Sequence, residues 1–141
     1  MLTRLARLDR RRRALVAWAC GWVLMSKAML AAPRGSLAKW QRWLDRLAGS
    51  LPAAPPCTPR EAAWAITAAA RRMPRTRCLE WSLALRGLLA QAGIVGELRI
   101  GVAAAPSGTI TAHAWVDVAG ASCSWGDVAG YSVLRPRAIG S

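Results

Sequence analysis

The chain of 141 residues has one histidine, His113, and no phenylalanine, although 54% of its residues are hydrophobic. A single imidazole cannot complete a zinc finger, and no two of the four cysteines form a Cys-x-x-Cys pair. The common cysteine–histidine metal sites are therefore excluded. Because a chain of this length can bury a core without disulfides, we expect free thiols in a reducing compartment. The cysteines are Cys20, Cys57, Cys78 and Cys123.

Acidic residues are also scarce, at seven against twenty Lys and Arg, and the formal net charge is +13. Residues 1–60 hold twelve of the basic residues and two of the acids, whereas residues 61–141 hold eight and five. A basic segment of this kind contacts nucleic acid, anionic lipid or an acidic partner, or it forms a solvated face. The high apolar content excludes a disordered chain.

A run of twelve apolar residues, 14–25, follows the basic residues 1–13 and is interrupted by Ser26 and Lys27. It is shorter than the roughly 20 residues that a transmembrane helix needs. A signal peptide and a buried or membrane-grazing helix of the domain are the other two interpretations. We favour the helix of the domain, since the rest of the chain needs it to cover a core. Pro33 and Gly35 end this helix.

A second helix is predicted from an N-cap at Ser36 to a terminating glycine at Gly49. Its apolar face has helical spacing and consists of Leu37, Trp40, Leu44 and Leu47. The proline-rich residues 50–57 then form a connector that cannot continue a helix. We therefore predict two regions: residues 1–57, a basic helical arm packed on the core, and residues 58–141, the domain that carries the chemistry.

Two more helices are predicted after the connector. Thr58, Pro59 and Glu61 form a capping box with proline at the first helical position, and Pro74 ends that helix. Thr76 is expected to cap the next helix, which begins at Arg77 or Cys78 and is terminated by Gly93. One face of this helix carries Cys78, Ser82, Leu85 and Leu89.

Polar and apolar residues alternate in the rest of the chain. This pattern predicts strands over residues 97–102, 109–118 and 121–127, with a turn at residues 106–108. The last two strands are joined through Ala119, Gly120 and Ala121 as a hairpin. Helices followed by an antiparallel meander make an α+β fold.

Cys78 is the candidate nucleophile, because the amides at a helix N-terminus favour a thiolate and Arg75 and Arg77 add positive charge beside it. The competing interpretation is a small buried hydrophobic residue. His113 is the one imidazole that can take the thiol proton and return it to a leaving amine.

A carboxylate is expected to orient that imidazole. Asp117 lies two residue pairs along the strand from His113, roughly 13 Å away, which is too far for a hydrogen bond. If the hairpin loop has three residues, Asp127 stands opposite His113, whereas a two-residue loop turns Asp127 away. The same three-residue loop would place Asp117 opposite Cys123, which leaves Cys123 as an alternative thiol. The backbone amide of Cys78 is a candidate oxyanion donor.

A string of spaced motifs over roughly residues 60–130 resembles the transglutaminase-like leader peptidases of lasso-peptide biosynthesis. The motifs are Cys78-Leu79-x-x-Ser82-Leu83-Ala84-Leu85, Leu88-Leu89, Gly93-Ile94, Glu97-Leu98-Arg99-Ile100-Gly101-Val102 and Ala112-His113-Ala114-Trp115-Val116. The resemblance implies a transglutaminase/papain-like cysteine protease core in residues 58–141. It also implies a catalytic triad of Cys78, His113 and Asp127, without metal or cofactor.

By that resemblance the protein removes the leader from a ribosomally made precursor before an asparagine-synthetase-like cyclase closes the ring. No strand pattern precedes Glu97, so the chain resembles the stand-alone form that relies on a separate leader-recognition protein. The implied location is the cytoplasm, with residues 1–32 as candidates for peripheral contact with the inner membrane. Two other functions stay open: transglutaminase-like acyl transfer by the same triad, and a non-catalytic basic module that binds membrane or nucleic acid.

Overall fold

The computed structural model describes residues 9–32, 35–125 and 131–133. Helices come first in these residues, and an antiparallel sheet follows, which confirms the predicted α+β order. The helices are α1 (Arg10–Ala31), α2 (Leu37–Ser50), α3 (Pro59–Ala70) and α4 (Cys78–Gln91). The strands are β1 (Glu97–Ala104), β2 (Ile110–Val118), β3 (Ala121–Cys123) and β4 (Ser132–Val133).

Helix α1 packs against α3 and α4 and supplies part of the main core. Its length and apolar composition would suffice to cross a membrane, and 39% of its most apolar stretch is buried inside the protein. Trp22 lies at the centre of this packing with 2% of its surface exposed, and its Nε1 donates to Oε1 of Gln91 at 2.8 Å. A Cβ at Gly87 would lie 2.4 Å from the Trp22 ring, so the absence of a side chain there lets α1 and α4 approach closely.

Helix α2 begins as predicted, with Oγ of Ser36 accepting a hydrogen bond of 3.3 Å from the amide of Lys39. It continues to Ser50, one residue beyond the predicted terminator Gly49. Leu44 is fully buried, and the connector that follows is tied to α4 because Nε2 of Gln91 donates to the carbonyl of Pro52 at 2.7 Å. The division of the chain at residue 57 stays a prediction.

The capping box at the start of α3 is confirmed, with both reciprocal bonds between Thr58 and Glu61 at 3.1 Å. Arg11 of α1 adds to it: its guanidinium forms an ion pair of 2.8 Å with Glu61 and also donates to the carbonyl of Pro56. This arrangement joins α1, the connector and α3 at one point.

Replacing Glu61 with Gln should remove a part of the acid sensitivity of folding. The hydrogen bond from Arg11, the largest cause, lowers the pKa of Glu61 from 4.5 to about 2. A carboxyl whose pKa falls on folding stabilises the folded state above its unfolded pKa, and loses that contribution as the pH falls through the folded one. In thermal unfolding, the wild-type protein should have a higher melting temperature than Glu61→Gln at pH 7. The gap between the two melting temperatures should narrow as the pH falls from 4.5 toward 2. A gap that is constant over this range would contradict the assignment.

The strand order in the sheet is β3-β2-β1-β4. Strands β1 and β2 pair without interruption from Glu97 opposite Asp117 to Ala104 opposite Ile110. The turn between them falls at the predicted residues, with Gly108 at φ +84°. The two-residue strand β4, which the sequence pattern did not predict, pairs with Gly101 and Val102 of β1.

The loop between β2 and β3 has two residues, Ala119 and Gly120, so the three-residue loop was a wrong prediction. Both have positive φ, at +49° and +83°. Two consecutive residues of this kind form a type I′ turn, whose twist matches the twist of the strands that it joins. Val118 therefore pairs with Ala121, and the register is shifted by one residue from the predicted one.

Candidate active site

Cys78 is the first residue of α4, as predicted, and its side chain is half-buried. Trp81 and the leucines on the following turns are buried, so α4 is packed against the rest of the protein after its first turn. Gly93 ends this region with φ +79°, and the amide of Ile94 bonds to the carbonyl of Leu89 at 2.8 Å. The thiol thus stands at the N-terminus of a largely buried helix, where backbone amides favour an anion.

The N-cap of α4 is Arg77, so the prediction that Thr76 caps this helix was wrong. The hydroxyl of Thr76 donates instead to the carbonyl of Ala70, the last residue of α3, at 3.3 Å, and to that of Met73 in the turn that follows, at 3.4 Å. A carboxylate oxygen of Glu80 accepts from the amide of Arg77 at 3.2 Å. Glu80 therefore satisfies a backbone donor beside the candidate nucleophile.

Lys27 fixes the same turn from the side of α1. Its Nζ lies 2.8 Å from Glu80 and 3.2 Å from the carbonyl of Pro74. The two charged side chains are 23% and 11% exposed, and such an ion pair needs these additional hydrogen bonds to offset the desolvation of its charges. Sequence reasoning treated Lys27 only as an interruption of an apolar run and missed its partner. A glutamate at the third position of α4 was the available signal.

His113 lies on β2 opposite Gly101. A hydrogen bond of 2.7 Å joins its Nε2 to Oγ of Ser124, a contact that sequence reasoning missed. Its ring lies 6.0 Å from the ring of Trp115 and 5.3 Å from that of Tyr131, measured between centroids. A Cβ at Gly101 would come within 2.7 Å of Trp115, so glycine makes room for this aromatic group.

Successive residues of a strand point to opposite faces of the sheet. Val116 belongs to the core that contains α4, so His113 and Trp115 lie on the other face. The side chain of Trp81, one turn after Cys78, lies 6.5 Å from Trp125 between ring centroids. This contact joins the first turns of α4 to the segment that contains Ser124. Within the described residues the thiol of Cys78 forms no hydrogen bond to His113, and the pairing of the two stays a prediction.

The carboxylate of Asp117 is engaged by three side chains other than His113 and Cys123. Its carboxylate accepts from Nε1 of Trp115 at 3.2 Å, from Oγ of Ser122 at 2.8 Å and from Nε of Arg99 at 3.3 Å. The residue opposite Cys123 is Val116, so the prediction that Asp117 faces Cys123 was wrong.

Asp127 lies outside the described residues. Strand β3 ends at Cys123, short of the predicted end at Asp127. Because the hairpin loop has two residues, the register no longer supplies a reason for Asp127 to stand opposite His113. Its role as the orienting carboxylate rests on the family resemblance alone.

Cys78 should be alkylated by iodoacetamide at pH 7 faster than the other three cysteines. Burial is the largest cause that raises the pKa of the Cys20, Cys57 and Cys123 thiols. Glu61 adds to this effect at Cys57, as Asp117 does at Cys123. These thiols therefore supply little of the reactive thiolate. Peptide mapping by mass spectrometry over a time course measures the four rates, and Cys78→Ala is the control that should lack the fast site. Equal rates, or a fast site at Cys123, would contradict this order.

A half-buried cysteine at the N-terminus of a helix packed on an antiparallel sheet is an arrangement that thiol-dependent hydrolases and acyltransferases use, and here the histidine of that sheet lies on the face turned away from α4. The chain belongs to the transglutaminase-like superfamily, whose family model matches residues 4–136. Members of this superfamily are usually cysteine peptidases or acyltransferases. No match is found among curated proteins or solved structures. The superfamily part of the predicted resemblance is thereby confirmed, over a longer stretch than the motifs covered.

Proposed function

We propose that this protein is a cysteine endopeptidase that removes the leader peptide from a ribosomally synthesised lasso-peptide precursor. The observation that carries the proposal is the position of Cys78, half-buried at the first residue of α4, in a chain of the transglutaminase-like superfamily. The subfamily rests on the spaced motifs from Cys78 to Val116.

In the proposed reaction the Cys78 thiolate attacks the carbonyl carbon at the leader–core junction, after His113 has accepted the thiol proton. The backbone amide of Cys78 donates to the oxyanion that forms. When the C–N bond breaks, His113 returns the proton to the departing amine of the core peptide, and the leader stays bound as a thioester. Water, deprotonated by His113, then releases the leader as a carboxylate and restores the thiol.

The ring nitrogens of His113 have separate roles in this scheme. Nε2 is bonded to Ser124, so Nδ1 is the nitrogen that the proposal assigns to the thiol proton. Because an imidazole has two ring nitrogens, Asp127, three residues after Ser124, is proposed to replace Ser124 at Nε2 when the ring carries the thiol proton, and to stabilise the charged imidazole there.

The proposed partners are the precursor peptide, a separate leader-recognition protein and an asparagine-synthetase-like cyclase, with cytoplasm as the location. A free amine on the core peptide is the product that such a cyclase consumes. These partners follow from the same motifs that carry the subfamily.

The test is a reconstituted reaction of the full chain with precursor and recognition protein, followed by mass spectrometry of both products. Endopeptidase activity gives a leader with a free carboxylate and a core with a free amine. An added primary amine found as an amide on the leader would favour acyl transfer, the other activity usual in this superfamily. An intact precursor after prolonged incubation with every partner present would count against both.

A further inference from the structure

Helix α2 carries a stripe of cations on its outer face, spaced so that its members adjoin: Lys39, Arg42 and Arg46, all exposed. Trp43 lies within this stripe with 42% of its surface exposed. Together with Trp40 these residues line a shallow groove of about 390 Å³. We call the set formed by Lys39, Arg42, Trp43 and Arg46 the basic–aromatic stripe.

The positive charge of this stripe is not neutralised by the rest of the described chain. The one acid of α2, Asp45, lies three residues after Arg42, and its carboxylate is engaged by both terminal nitrogens of Arg86, at 2.9 and 3.1 Å. None of the three cations belongs to an ion pair between described residues. An uncompensated cluster of this kind attracts an anionic surface.

An apolar surface adjoins the stripe. The exposed side of α1 carries Ala17, Gly21, Leu24 and Ala28 at helical spacing, and Leu24 is 59% exposed. Between α1 and α2 lies an apolar groove of about 190 Å³, lined by Trp18, Gly21, Trp22, Met25, Leu47 and Leu51. Leu47 follows Arg46 directly and lies one turn after Trp43, so the apolar groove and the stripe form one continuous surface.

We propose that this surface, formed by the basic–aromatic stripe and the outer side of α1, docks the protein onto a bilayer that contains anionic lipids. Lys and Arg side chains reach headgroup phosphates while their stems lie on apolar surface. A half-exposed tryptophan between them has the amphipathic ring that favours the interface of water and lipid. Leu24 and the apolar groove offer contacts to acyl chains, which a nucleic acid would leave unused. The inference does not depend on the proposed peptidase activity.

The test uses the full chain and sucrose-loaded vesicles of phosphatidylcholine, with or without phosphatidylglycerol, in a sedimentation assay. We expect binding to the anionic vesicles that weakens with added salt, and little binding to the neutral ones. For the double variant Arg42→Glu/Arg46→Glu, the partition coefficient onto anionic vesicles should fall at least about tenfold. Trp43→Ala, which preserves the charge, should also bind less. The matched control Arg60→Glu/Arg71→Glu makes the same charge change on α3 and just after it and should bind like wild type.

Three results would overturn the proposal. The first is equal loss in the two double variants, which would make binding a matter of net charge alone. The second is equal binding to neutral and anionic vesicles. The third is binding of a duplex DNA fragment as tight as that of anionic vesicles, with the same loss in Arg42→Glu/Arg46→Glu, because it would assign the surface to nucleic acid.

Discussion

Cys78→Ala should abolish leader removal, with a loss on the order of 10⁶-fold, because the variant has no sulfur to form the thioester at the head of α4. His113→Ala should lose roughly 10²- to 10⁴-fold, the usual contribution of a positioned general base. The assay is the reconstituted cleavage reaction, with rates taken from the amount of core peptide released. Folding of each variant is checked by circular dichroism.

Cys123→Ala is the matched control for Cys78→Ala, because it deletes the same atom from another half-buried cysteine. It should cleave at the wild-type rate. Burial and the charge of Asp117 raise the pKa of the Cys123 thiol, which suits a packing role better than a nucleophile. Loss of activity in Cys123→Ala with activity kept in Cys78→Ala would move the site to the other thiol.

Trp22→Ala should cost about 3–5 kcal/mol of unfolding free energy, which is the range for truncating a buried aromatic residue. Trp22 is 2% exposed, and its loss also leaves Oε1 of the buried Gln91 without its donor. Because a domain has only about 5–15 kcal/mol in total, this single change could bring the protein close to unfolding. Urea titration measures the free energy, and Trp22→Phe, which keeps a ring in the site, should lose less than Trp22→Ala.

Trp43→Ala serves as the comparison, since Trp43 is 42% exposed on α2. This substitution should lower the unfolding free energy by about 1 kcal/mol or less. The pair tests whether α1 is an integral part of the fold. Equal stability of Trp22→Ala and wild type would mean that α1 does not contribute to the core and would revive the interpretation of residues 14–25 as a segment outside it.

The features that sequence predicted well are the ones fixed by local chemistry. Thr58 and Glu61 satisfy each other's backbone donors within one turn, and Gly93 takes a positive φ that ends α4. The helix start at Cys78 was equally predictable, because the apolar spacing from Cys78 to Leu89 has a helical period.

The features that sequence missed depend on competition or on distant partners. Thr76 was available as a cap, but carbonyls at the end of α3 and in the turn that follows engage its hydroxyl. The two-residue hairpin loop needs a positive φ at Ala119 as well as at Gly120, and Ala119 has φ +49°, which is uncommon for residues other than glycine. Gly120 alone therefore did not predict the length of the loop. Lys27 and Glu80 are 53 positions apart, and only the packing of α1 on α4 brings them together.

Locating the acyl group during turnover shows which cysteine acts as the nucleophile. The reaction of enzyme, precursor and recognition protein is quenched in acid within its first cycles, digested, and analysed by mass spectrometry for a thioester. We expect the leader attached to the peptide that contains Cys78, and none on the peptides that contain Cys20, Cys57 or Cys123. Cleavage that proceeds while Cys78 is irreversibly alkylated, or a leader thioester on another cysteine, would contradict this expectation.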